Sequence, residues 1–178
     1  MNKILLITII AVFLTIFIET VFLILQIWDN RIAKWFGKRA FTVHATVTIL
    51  LWIIAFAFIA LLQLEKHPLF HNSMLLKYGG LVLSVAGIII SIWGLFLIGP
   101  KRALCLNFYK DNVPVVTTSL YKYIKNPIDI GFWAALVGFA LFTKSTYNLI
   151  IAIEFILIMI PHSKIENIPL DFTEGNEN

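Results

Sequence analysis

The chain alternates long apolar stretches with short polar ones. Five apolar runs stand out, at about Ile4 to Ile27, Phe41 to Leu64, Tyr78 to Ile98, Pro127 to Phe142 and Tyr147 to Ile160. Their length, with no period-two alternation, predicts helices, and about 20 helical residues cross a bilayer. The fourth run reaches only ~24 Å as a helix, short of a ~30 Å hydrocarbon core. Gly99-Pro100 stops the third run. Thr143 to Thr146 joins the last two runs as an antiparallel hairpin, and Pro161 is expected to close the fifth, leaving a polar tail from His162 outside the bilayer. The predicted fold is all-α, a polytopic membrane protein of about five transmembrane helices ending in a helical hairpin. It forms a single transmembrane domain over residues 1–170, with residues 171–178 as a disordered tail. Lys3 alone precedes the first run and no small-x-small site follows Ile27, so that run reads as a retained helix rather than a cleaved signal.

Composition agrees. Hydrophobic residues make up 60% of the 178, which excludes an ordinary soluble domain. The net charge of +4 sits between the spans, as the positive-inside bias requires, and argues against nucleic-acid binding. Arg31, Lys34, Lys38, Arg39, Lys101, Arg102, Lys110, Lys122, Lys125 and Lys164 fall on one side of a five-span topology. Only Lys3, Lys66, Lys77 and Lys144 fall on the other, so the loops after spans one and three and the C-terminus are expected to be cytoplasmic. Cys105 is the single cysteine, which excludes an intrachain disulfide. His67 and His71 flank Pro68 and make a weak metal pair, so no metal is expected.

Several positions carry more than topology. Gly80, Ser84, Gly87, Ser91 and Gly94 recur at four-three spacing on one helix face, which lets another helix approach closely or makes room for a lipid chain. Gly131, Ala134, Ala135 and Gly138 give the fourth run a small face too. Glu19 and Glu154 lie at mid-membrane depth, where a carboxylate either ties helices together or lines a cavity. His44 reads as a hydrogen-bonding residue near a span end, and the basic linker from Lys101 to Val113, with Leu104, Leu106, Phe108 and Tyr109 mixed in, is expected at the membrane surface but is too short to read as an amphipathic helix. Asn126-Pro127 is a helix start, Asn at the cap and Pro in the first turn. Its free N–H groups suit an anion, with Lys122 and Lys125 just before them.

The stretch Val113 to Gly131 resembles the signature of the membrane methyltransferases that include isoprenylcysteine carboxyl methyltransferase and phosphatidylethanolamine N-methyltransferase. The family pattern runs valine-threonine, Gly-Pro-Tyr, Arg-His-Pro-x-Tyr-x-Gly, a hydrophobic hairpin, then Glu-Glu-x-x-Leu. Here it reads Val116-Thr117-Thr118, Ser119-Leu120-Tyr121, Lys125-Asn126-Pro127-Ile128-Asp129-Ile130-Gly131, and later Glu166-Asn167-Ile168-Pro169-Leu170. Ser119-Leu120, Lys125-Asn126, Asp129 and Asn167 are departures from it.

The resemblance implies S-adenosylmethionine as cofactor, bound within about residues 100–170, and a lipophilic or lipid acceptor drawn from the bilayer. It implies that the main chain of Val113, Pro114, Val115 and Val116 holds the adenine edge and that Tyr121 packs on the cofactor. Asn126, Pro127, Ile128 and Asp129 form the helix start beneath its carboxylate, and Glu166 suits its amine or ribose. His162 takes the place of a basic residue that helps hold the acceptor. The substitutions leave a non-catalytic member of the fold as an alternative, and a sterol-type reductase as a more distant one.

Overall fold

The computed structural model describes residues 2–65, 73–109 and 116–166. His67 and His71, Val113 to Val115, Asn167 to Leu170 and the tail 171–178 lie outside the described residues. Seven α-helices carry what is described: α1 (Lys3–Asp29), α2 (Arg31–Phe36), α3 (Ala40–Leu62), α4 (Met74–Ile98), α5 (Pro100–Ala103), α6 (Pro127–Thr143) and α7 (Thr146–Glu166). Helices α1, α3, α4 and α7 are long and apolar enough to cross a membrane, and α6 is an apolar helix of 17 residues. The chain is an all-α polytopic membrane protein, as its apolar runs predict.

The helix ends follow local chemistry. Asn2 caps α1, its Oδ1 accepting from the N–H groups of Ile4 and Leu5 at 2.8 and 3.3 Å. Asn30 closes α1 in the left-handed conformation, φ 49°, which Asn tolerates better than most residues. The expected loop after the first span instead winds into α2 and a 3-10 turn over Gly37–Arg39. Gln26 holds that turn in place, donating to Asn30 Oδ1 at 3.0 Å and accepting from Ala33 N–H at 3.1 Å. Helix α4 begins at Met74, four residues before the apolar run, because Ser73 stands at its cap.

Pro161 does not close the fifth span. Helix α7 runs through it to Glu166. The proline removes one N–H, and the turn beyond it is held by tertiary contacts instead. His162 is buried and bonded to Thr20, and Ile165 packs on Leu23, Cys105 and Phe108. The expected polar tail after His162 is therefore part of the bundle as far as Glu166.

In space the long helices follow the order α3, α1, α7, α6, α4. Leu5, Val12 and Ile16 of α1 meet Ala55 and Leu62 of α3 and Ile151 and Phe155 of α7 in the main core. Thr8 and Thr15 donate to carbonyls of their own helix and stand 3.3 Å from Phe58 and Leu51 oxygens of α3. Gln63, the C-cap of α3, and Asn148 of α7 exchange amide hydrogen bonds, both at 3.0 Å. Phe13, Phe17, Ile53 and Ile89 are among the large apolar side chains left on the outside, as a lipid-facing surface requires.

The small-residue stripe of α4 meets the small face of α6 along the whole contact. A Cβ on Gly87 would lie 2.5 Å from Ala135 N and Gly131 O, and one on Gly80 2.7 Å from Gly138 O. Gly94 faces Pro127 and Ile128 at the other end. The backbones touch because neither helix has side chains between them. Ser91 Oγ adds a hydrogen bond to Ile128 O at 2.8 Å. The packing reading of the stripe holds, and the pair fixes the start of α6 against the end of α4.

Candidate functional site

One end of the bundle gathers the end of α4, the start of α6 and the last turn of α7. Gly99, at φ 77°, turns the chain out of α4 and into α5. The segment that follows is not spread on a surface. Cys105 and Phe108 are buried against Leu23 of α1, and Gln26 Nε2 donates to Phe108 O at 3.1 Å. This anchoring holds α5, with Arg102 and Ala103, over the ends of the long helices. The linker from Lys101 to Tyr109 is thus a roof, because its apolar residues find a core.

Beneath that roof lies a cavity of about 330 Å³. Arg102, Asn107 and Ala103 line it from the linker, and Val116, Thr117 and Tyr121 from the following segment. Lys125, Asn126, Ile128 and Asp129 line it from the start of α6, and Glu166 from the end of α7. Two cations and two carboxylates therefore face one space. Tyr121 lies in a 3-10 turn, its hydroxyl 3.4 Å from Gly94 O. Burial first, and the Glu166 charge after it, push that hydroxyl up to about 12, so it remains a hydrogen-bond donor.

A second cavity, of about 220 Å³, lies deeper. Trp52, Phe56, Phe132 and Phe155 surround it, with Met159, Glu19 and His162. Phe132 stands edge-on to Phe155, Phe56 and Trp52, with ring centroids 5.0, 5.8 and 5.9 Å apart. Glu19 hydrogen-bonds the Trp52 side chain. Both roles open to a carboxylate at this depth apply, since Glu19 ties α1 to α3 and lines a cavity. Glu154 lines neither chamber. His44 is buried and its Nδ1 lies 2.7 Å from the Tyr109 hydroxyl, so it acts as a hydrogen-bonding residue. Cys105 also lines the deep chamber, where burial pushes its thiol well above the ordinary range, so it is no nucleophile.

The two chambers share a wall. Ala103, Ile128, Asp129 and Glu166 line both. Asp129 also lines a cleft of about 310 Å³ between α6 and α7, with Ile130, Trp133, Met159 and Ser163. Its Oδ2 accepts from Ser163 Oγ at 3.1 Å and from Asn126 Nδ2 at 3.4 Å. Asn126 is the cap residue of α6 but makes no side-chain cap bond, its amide being turned to Asp129. The negative charge of Asp129 in the first turn satisfies the helix end that the Asn-Pro start offers to an anion.

The structure thus brings Val116, Tyr121, Asn126, Ile128, Asp129 and Glu166 to the polar chamber, and places His162 in the deep one. Pro127 does not line either; it is buried against Gly94. Val113, Pro114 and Val115 lie outside the described residues. Arg102, Asn107 and Thr117 are additions, as are the four aromatics of the deep chamber. Among the described residues, no group of His, Cys, Asp or Glu is arranged to hold a metal ion.

The profile of a family described as phospholipid methyltransferase matches residues 76–171, more than half of the chain. The chain belongs to the phospholipid methyltransferase family. It is a membrane methyltransferase in kind, which agrees with the resemblance carried by the stretch from Val113 to Gly131. No curated protein and no solved structure matches it. The matched region supplies nearly all of α4, all of α5 to α7 and every residue lining the polar chamber. Glu19, Trp52 and Phe56 of the deep chamber come from α1 and α3, outside the match. Within this family member, the deep chamber is therefore the part built with residues the family pattern does not cover.

Proposed function

We propose that the chain is an integral membrane S-adenosylmethionine-dependent methyltransferase acting on a lipophilic acceptor. The observation that carries this reading is the shared wall: a polar chamber and an aromatic chamber meet at Asp129 and Glu166. The donor set of the polar chamber fits the cofactor. Arg102 and Lys125 suit its carboxylate, Glu166 its amine, and Asp129 its positive sulfonium. Val116, Thr117 and Asn107 offer groups for the base and ribose. The cavity volume lies at the lower end of small-molecule sites, roughly 300–1,000 Å³. When bound, S-adenosylmethionine supplies an electrophilic methyl group, with sulfur as the leaving atom. The chain's own part is to align two partners and exclude water.

The deep chamber takes the polar end of the acceptor, with the cleft between α6 and α7 facing its apolar part. Four aromatic rings with Glu19 and Asp129 favour a polar end that is cationic before transfer over an anionic one. The Lys and Arg distribution supports a cytoplasmic position for this end of the bundle, the side where the cofactor is made available.

The test is methyl transfer from tritiated S-adenosylmethionine by detergent-purified protein. The probes are a phosphatidylethanolamine, a long-chain alkyl thiol and a farnesylated cysteine, presented in mixed micelles. Label in at least one extracted probe is expected; none in any of them, from a folded sample, refutes the reading. The two chambers also predict separable defects. Arg102→Ala should weaken cofactor binding about 10- to 100-fold, the value of one or two hydrogen bonds to a charged group. Phe132→Trp should fill the deep chamber, raising the acceptor KM and leaving cofactor affinity within about twofold. Calorimetry with the cofactor and initial rates against acceptor concentration distinguish the two.

A further inference from the structure

The deep chamber contains a histidine whose tautomer is fixed by its neighbours. Thr20 Oγ1 lies 2.6 Å from Ile16 O and 2.8 Å from His162 Nδ1. A hydroxyl has one proton. A carbonyl oxygen at 2.6 Å must receive it, since two bare oxygens at that distance repel. His162 Nδ1 must then carry its own proton and donate to Thr20. In the neutral ring that leaves Nε2 with a free lone pair. His162 lines the chamber and Thr20 does not, so with Nδ1 engaged by Thr20 the nitrogen left for the chamber is Nε2.

We infer that His162 Nε2 takes a proton from the acceptor's nucleophile, and that Thr20 is the positioning residue that keeps Nε2 free to do so. The inference rests on the methyltransferase reading above. The acceptor's N–H or S–H bond breaks, its electron pair stays on the nitrogen or sulfur, and a new N–H bond forms at Nε2. The resulting imidazolium keeps its Nδ1–H on Thr20. Glu19 of α1, Asp129 of α6 and Glu166 of α7 line the same chamber as His162. His44 of α3 is close enough to sense the His162 charge, and the Cys105 thiol lines the chamber as well. An acceptor that arrives as a carboxylate has no proton to give and gains nothing from this arrangement.

Two measurements on the full chain test the step. The first reads the tautomer without turnover, from 15N spectra of protein labelled in its four histidines, with His162→Gln assigning the signal. A protonated Nδ1 and an unprotonated Nε2 are expected; the reverse overturns the inference. The second follows methyl transfer to the phosphatidylethanolamine and alkyl thiol probes across pH. The glutamine of His162→Gln can still donate to Thr20 but cannot act as a base. It should lower turnover about 10²- to 10⁴-fold, remove the acid limb of the profile, and leave cofactor affinity unchanged. Thr20→Val should lower turnover roughly tenfold or more by releasing the tautomer, and Thr20→Ser should restore it. A His162→Gln protein with the parent rate and pH limb overturns the inference while the methyltransferase reading stands. If the unaltered protein transfers methyl groups to no probe, that reading fails, and this step fails with it.

Discussion

Gly138→Leu is expected to leave the chain unable to hold α4 against α6. A Cβ at this position would stand 2.3 Å from Ser84 N and 2.6 Å from Gly80 O. Both obstacles are backbone, so no side chain can rotate out of the way. Relief requires the helices to separate along a contact built from small residues throughout. Overpacking of a well-packed core commonly costs ~1–3 kcal/mol. Here the obstruction cannot relax, and the loss should exceed ~4 kcal/mol, a range reserved for changes with a specific structural cause. Thermal unfolding in detergent, followed by size-exclusion chromatography, is the measurement. Gly79→Ala is the control, because a Cβ there meets nothing within 4 Å. It should be neutral or stabilising by up to ~1 kcal/mol, from helix propensity alone. Equal behaviour of the two variants would contradict the packing account.

Glu166→Ala is expected to abolish measurable cofactor binding while the bundle remains folded. Glu166 ends α7 and lines both chambers, so its removal opens no gap in the main core. Arg102 faces the same cavity and would lose a charge opposite it. Losing a charged hydrogen-bond partner of the cofactor costs ~1.5–3 kcal/mol, and leaving Arg102 poorly balanced adds to that. The combined loss should be ~100-fold or more in affinity. Calorimetric titration of the variant, with its thermal transition compared with the parent's, checks both halves of the expectation. Unchanged affinity would remove Glu166 from the cofactor site.

The membrane fold is legible in the sequence because it is written locally. The first three apolar runs exceed what a soluble helix needs, and glycines at four-three spacing mark a helix face wherever they occur. Two such faces, one on α4 and one on α6, are enough to suggest that these helices pack closely. The signature from Val116 to Asp129 and the later Glu166 are also legible, since their order along the chain is their family resemblance.

What is not legible depends on contacts between distant segments. Pro161 is a helix stop by local rules, and α7 passes it because His162 reaches Thr20 and Ile165 reaches Leu23. The linker after α4 reads as a surface segment, since nothing local shows that Cys105 and Phe108 fit against α1. Arg102 is hidden by its charge, because loops between spans carry basic residues for topology whether or not they bind anything. The deep chamber draws Glu19, Trp52, Phe132 and Phe155 from four helices. On α3, α6 and α7 each aromatic is one apolar residue among many, and only the packing shows which of them face one another and Glu19.

The measurement that bears most directly on the two chambers is calorimetric titration of S-adenosylmethionine, and of its demethylated product, into the folded, detergent-purified parent protein. Saturable one-site binding of both is expected, with Kd on the order of micromolar, lost in Glu166→Ala. Absence of binding by either compound in a folded sample would contradict the two-chamber account, and would leave a protein that keeps the family's helices without its chemistry.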